Sequence, residues 1–181
     1  MAAENWPVFI GSHPMAGSEK TGVENARRDL YQAAACIVTP VDDTPPGPLE
    51  KLETFWSRLG SRMIRLSPEE HDRMVAVVSH SPHLAASALA LNFAQLVSAD
   101  DAARKIVGEG FRDTTRVAAG DARMWRDICL DNRGALAGAL NDLINTLNTF
   151  RDHIQQGNGQ AIEELLNQAR EIRLSVHNNN S

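Results

Sequence analysis

The residues best suited to chemistry cluster around His13, in the string Gly11-Ser-His-Pro-Met-Ala-Gly17 that runs on as Ser18-Glu-Lys-Thr-Gly22. Imidazole titrates closest to neutral pH among the common side chains, so His13 can take a proton or return one. Pro14 fixes its own φ and disfavours helix at the residue before it, which holds the ring out on extended backbone. Gly17 and Gly22 permit a tight turn or a close approach. Ser18 and Glu19 can cap a following helix. The plainer alternative is a strand-to-turn connection whose histidine only caps a neighbour.

Two further groups carry reactive or binding side chains. Arg116 closes Gly110-Phe-Arg-Asp-Thr-Thr-Arg116, and its guanidinium offers a bidentate fork to a carboxylate. The alternative for Arg116 is an ion pair with Asp113 one turn earlier. His80 and His83 flank Pro82 in Ser79-His-Ser-Pro-His83, where the proline removes a donor and presses on the carbonyl of Val78. Two histidines at this spacing are too few for a zinc site without further ligands, and none is adjacent. Trp125 fits a core or a pocket.

Positioning these groups needs a short β-containing segment and a longer helical one. Val8 to Ile10 and Ala35 to Thr39 read as strands, the second closed by Pro40. Thr44-Pro-Pro-Gly-Pro48 marks a boundary, and the sequence after it reads as almost wholly helical. Leu49, Leu52, Phe55, Trp56 and Leu59 share a face that Gly60 terminates. Ser67-Pro-Glu-Glu70 is a capping box opening a helix that reaches about Val97, interrupted only by Pro82. Leu136, Leu140, Leu143, Leu147, Phe150 and Ile154 form a heptad-like seam, and Gly157-Asn-Gly159 turns into a second apolar stripe from Ile162 to Ile172. Part of that stripe is intrachain core; the rest suits a face-to-face or helix-swapped dimer.

Taken in order, the blocks around His13, His80–His83 and Gly110–Ala118 resemble the prephenate/arogenate dehydrogenase family, over about Phe9 to Asn132. The resemblance implies a mainly α fold: a helical dimerisation domain (6-phosphogluconate dehydrogenase C-terminal-like) preceded by a short β-containing remnant of the nucleotide-binding domain. It implies residues 1–46 as that remnant, 47–177 as the substrate-binding and dimerisation domain, and 178–181 as a tail. It implies an oxidoreductase of tyrosine biosynthesis that uses NAD or NADP on prephenate or arogenate, with His13 catalytic. Arg116, His83, Ser18, Glu19, Asp113 and Trp125 are its substrate-binding positions. The glycine-rich phosphate turn of a Rossmann half is not found; Gly108-Glu-Gly-Phe-Arg-Asp113 lacks the third glycine. The expectation is therefore a homodimer, inactive alone, whose Rossmann half is missing or separate and whose two strands are poorly anchored, swapped between chains, or paired only with each other.

Composition narrows the rest. The 181 residues suit one domain with a sizeable core, or one domain plus a short orphaned segment. A net charge of −5 and 5% aromatics give no basic, base-stacking surface for nucleic acid. Cys36 and Cys129 form no disulfide framework and suit a reducing cytoplasm. No unbroken run of 18 apolar residues and no charged-then-apolar leader is visible, so no membrane partner is expected. Two other readings stay open: a non-catalytic helical dimerisation module, and a metal-binding helical protein using His13, His80 and His83.

Overall fold

Three consecutive residues on one strand, Cys36, Ile37 and Val38, are buried and organise the first part of the chain. They sit on β2 (Ala35–Thr39), which pairs antiparallel with β1 (Gly11–Pro14) and parallel with β3 (Arg62–Arg65). The structure is a computed structural model and describes residues 9–17, 22–99 and 102–178. β1 begins where the first strand was expected to end: Phe9 and Ile10 precede it, and Val8 lies outside the described residues. His13 and Pro14 are thus strand residues, and the edge position lets Pro14 lack a donor without breaking a central ladder. β3 is an unforeseen strand in a remainder expected to be almost wholly helical, and it gives β2 a second partner, so β1 and β2 are not paired only with each other.

Between β2 and β3 runs α1 (Pro46–Arg58), with Pro45 at its N-cap and proline in its first turn. Gly60 ends it at φ 89°, a left-handed conformation that glycine adopts without strain. A Cβ there would also collide with the Gln32 side chain. Arg65 donates from Nε and Nη2 to the Glu53 carboxylate at 2.5 and 2.6 Å, tying β3 to α1.

The expected capping box opens α2 (Pro68–Val75): the Glu70 N–H donates to Ser67 Oγ at 3.2 Å, and the Ser67 N–H donates to Glu70 Oε2 at 2.9 Å. A π turn, Ala76–His80, then leads into α3 (Ser81–Ala99). In this register the Ser81 N–H donates to the Ala76 carbonyl, and Pro82 has no N–H for Val77. Ser81 Oγ donates to the Val77 carbonyl instead, at 3.2 Å. The proline is accommodated by an inserted residue in the helix. His71, Val75, His80 and His83 consequently follow one another at spacings of 4, 5 and 3, and the 5 is the π turn that keeps His80 in line with His71 and Val75.

By length and composition alone the helical stretch Pro68–Val97 contains an 18-residue window apolar enough to cross a membrane, at a mean hydropathy of 1.4, which the sequence expectation did not foresee. It buries Val75, Ala76, His80, His83 and Ala86, and two buried histidines are what a protein-packed helix carries. Beyond it come α4 (Ala102–Lys105), α5 (Glu109–Thr115), a 3-10 turn (Arg116–Ala119) and α6 (Ala122–Asp131). Phe93 meets Phe111 at 4.8 Å between ring centroids, joining α3 to α5.

The chain divides into two compact units, Met1–Leu136 and Ala137–Ser181, with the division falling inside α7 (Arg133–Gln156). The second unit is a hairpin of α7 and α8 (Gly159–Asn178). Gly157 turns the chain at φ 66°, and Asn158 Oδ1 accepts from the Ala161 N–H at 3.1 Å. Mainly helical with a small sheet, the fold matches the expected class.

Candidate active site

β1 delivers His13 to a cavity of about 500 Å³ in the first unit. Facing it are His83 from α3, Arg116 from the 3-10 turn, and Gly120, Asp121 and Trp125 from the start of α6. Asp121 caps α6, its Oδ1 accepting from the N–H groups of Arg123 and Met124 at 3.0 and 2.9 Å. That cap fixes the turn from which Trp125 enters the cavity.

His13 Nδ1 lies 2.9 Å from His71 Nε2, and His71 Nδ1 lies 2.9 Å from Asp72 Oδ1. Burial first, and then the neighbouring His71, holds the His13 imidazole below its ordinary pKa. Asn132 donates from Nδ2 to the Asp72 carbonyl at 2.7 Å and approaches His80 Nδ1 at 3.3 Å. His80 is depressed by burial and then by His13 and His71, with Asp72 opposing. His83 is depressed by burial.

His83 and Trp125 stack face to face, centroids 3.5 Å apart and 11° from parallel, while His80 meets Trp125 edge-on at 6.1 Å. The buried His83 Nδ1 has no hydrogen-bond partner among the described residues. A Cβ at Gly120 would stand 2.6 Å from Trp125 Nε1 and 3.3 Å from His83 Cε1. Glycine at this position therefore admits the stack. The cavity joins an imidazole held below its ordinary pKa, a guanidinium and a flat aromatic wall, a set suited to proton transfer beside a bound anion.

Of the expected site residues, the structure brings His13, His83, Arg116 and Trp125 together. Asp113 lies exposed on α5 and is not part of the cavity wall. Ser18 and Glu19 lie outside the described residues. Sequence reasoning missed His71, Asp72, Asn132 and Gly120. His71 was legible in principle, one turn into a capped helix and in line with His80 once the π turn is counted. Asp72 and Asn132 gave no signal, because their contact joins residues 60 positions apart. With His13 Nδ1 engaged by His71 and His80 Nδ1 by Asn132, the described residues contain no group of three or more His, Cys, Asp or Glu placed to hold a metal ion.

Family models place these features in context. The model for "Prephenate dehydrogenase, dimerization domain" matches residues 67–168, and that for "Prephenate dehydrogenase, nucleotide-binding domain" matches residues 1–65. The second match takes in the expected remnant, residues 1–46, and runs on to the end of β3, so the nucleotide-binding domain is represented in part rather than lacking altogether. The chain is 32% identical over 165 residues to a prephenate dehydrogenase of Bacillus subtilis (strain 168), covering 91% of this chain and 44% of that protein. It is 33% identical over 171 residues to a cyclohexadienyl dehydrogenase of Zymomonas mobilis, covering 93% and 58%. The chain thus spans about half the length of these curated relatives. The crystal structure of Aquifex aeolicus prephenate dehydrogenase in complex with hydroxyphenyl propionate and NAD+ superposes with a TM-score of 0.87 at 34% identity, over 93% of this chain and 59% of that one. Synechocystis arogenate dehydrogenase gives 0.81 at 29%, over 94% and 62%.

Proposed function

The chain belongs to the prephenate dehydrogenase family, and from that premise we propose that its cavity holds prephenate or arogenate for oxidative decarboxylation. The observation that carries this reading is the convergence of His13 and Arg116 on one cavity, with the His83–Trp125 stack as a flat wall. Arg116 grips a carboxylate, and the stack receives the ring. His13 accepts the proton of the ring hydroxyl, its lowered pKa keeping it unprotonated at neutral pH. As the hydroxyl becomes a carbonyl, a hydride leaves its carbon; the ring carboxylate then departs as carbon dioxide and its bonding pair completes the aromatic ring.

A nicotinamide, NAD or NADP, supplies the hydride acceptor when bound. The described residues offer no glycine-rich turn at a helix N-terminus to hold its phosphates, so the dinucleotide is not assigned to residues of this chain. We therefore expect these 181 residues alone to bind substrate analogues and not to turn over. The dimer is a homodimer through the hairpin, supported by its exposed apolar side chains. The two free cysteines, Cys36 buried and Cys129 partly so, suit a cytoplasmic setting.

Hydroxyphenyl propionate, named as a ligand of the Aquifex aeolicus relative, is the probe of choice because it carries a phenol and a carboxylate. Titrated into this chain, it should bind, and Arg116→Lys should weaken binding about tenfold, since a point-charge ammonium cannot reproduce the guanidinium fork. Equal binding by Arg116→Lys would place the carboxylate clamp elsewhere.

A further inference from the structure

We infer that His71 and Asp72 are positioning residues that fix His13 in one tautomer and present its unprotonated Nε2 to the cavity. An ionised carboxylate only accepts, so the 2.9 Å contact of Asp72 Oδ1 with His71 Nδ1 requires the proton on that nitrogen. With the ring proton of His71 on Nδ1, its Nε2 carries the lone pair. The 2.9 Å contact between this Nε2 and His13 Nδ1 in turn requires the proton on His13 Nδ1. The remaining nitrogen of His13, Nε2, is left as the acceptor. This is the less populated tautomer of a free histidine side chain, so it needs a partner to hold it.

The partner is itself held. His71 sits in the second turn of α2, whose start is pinned by the Ser67–Glu70 capping box. Asn132, a buried residue at the C-terminal cap of α6, donates to the Asp72 carbonyl at 2.7 Å and fixes that turn from the other side. The arrangement follows the general logic of a base oriented by a third group.

The role in catalysis rests on the reading of His13 as the base. When the hydroxyl O–H bond breaks, the proton forms the Nε2–H bond of His13, and the resulting positive charge is shared through Nδ1–H toward His71 and the Asp72 carboxylate. Other charged or titratable groups facing His13 are His80 from the π turn, and His83, Arg116 and Asp121 across the cavity.

Nitrogen-15 NMR of the 181-residue chain at pH 7.5 tests the inference without turnover, because pyridine-like and pyrrole-like imidazole nitrogens resonate far apart. His13 should show a protonated Nδ1 and a bare Nε2, with a preference of about tenfold or more, as a good charge-assisted chain supports. Asp72→Asn and His71→Ala should each collapse that preference. His71→Gln, which keeps an acceptor at the same reach, should restore it. A wild-type His13 carrying its proton on Nε2, or a tautomer unmoved by both Asp72→Asn and His71→Ala, overturns the inference. Hydroxyphenyl propionate separates the two levels. If the phenol leaves His13 Nε2 unperturbed while the tautomer responds to the variants, the lock is upheld and the base reading falls.

Discussion

The first unit buries polar groups, His80, Ser81, His83 and Asn132 among them, while the α7–α8 hairpin leaves apolar groups outside. Ile144, Leu147, Ile154, Leu166 and Ile172 are all more than half exposed, and no described residue from 137 onward is fully buried. Burying a polar group costs free energy unless it is partnered; His80 Nδ1 is met by Asn132, whereas His83 Nδ1 is buried without a partner among the described residues, a cost that marks this cluster as kept for what it does. Exposing an apolar stripe also costs, unless another surface covers it. On the proposed reading one unit serves chemistry and the other association, and each should fail in its own way.

The sharpest test of the contrast is His13→Asn. Supplied in cis with a nucleotide-binding half, the variant should lose turnover by about 100-fold or more, the usual cost of removing a general base, with far less change in substrate affinity. Its sedimentation behaviour should match the parent, since the hairpin is untouched. Near-normal turnover would remove His13 from the chemistry and leave the first unit a binding shell.

The converse variant carries Leu147→Glu and Ile154→Glu. Charges placed in an apolar interface core should raise the dimer dissociation constant by roughly 30-fold or more, on the scale of losing one interface hot spot. Analytical ultracentrifugation reads this, and the probe should still reach the His13 cavity of the monomer. A parent that sediments as a monomer at every concentration would mean the stripe is not a self-association surface.

Acid should separate the units as well. His13, His80 and His83 are all held below the ordinary histidine value of about 6.5, with burial the leading cause in each. As pH falls below about 6.5 the unfolded chain takes up these protons before the folded one does. The stability that is complete above that value is therefore lost progressively toward the lower folded pKa values. Urea unfolding at pH 7.5 and 5.5 should show the decline, and His80→Gln should flatten it. A stability indifferent to this range would mean the imidazoles are not desolvated in solution.

Legibility followed the range of the interaction. The capping box, the α7–α8 turn and the strand at Ala35–Thr39 depend on neighbours a few residues away, and all three could be read directly. His13, His83, Arg116 and Trp125 were legible through motifs, which carry a site's residues without its geometry. β3 escaped because Arg62-Met-Ile-Arg65 is too short to show a period and is stabilised by a distant strand. His71 and Asp72 escaped because their meaning depends on a contact across 58 positions with β1, and on a π turn that breaks the 3.6-residue count. Gly120 looked like a loop glycine, and only the stack beside it shows why a side chain is excluded.

The smallest expected effect comes from Ser67→Ala, and it tests whether α2 belongs energetically to the chemistry. The substitution removes the oxygen that accepts from the Glu70 N–H, leaving an unpaired donor at the helix start. Such a cap is worth about 1 kcal/mol, which for a chain of this size lowers Tm by about 2–4 °C. Ser67→Asp, which keeps an acceptor at the cap, should recover most of the loss. The dimer should not weaken, because the hairpin lies in the other unit. What should change is His71, one turn away: a frayed α2 start loosens the turn that carries it, and His13 should show a slightly larger minor tautomer. A Tm drop with the tautomer ratio unchanged would mean Asn132 alone fixes that turn, and the cap serves stability without serving the site.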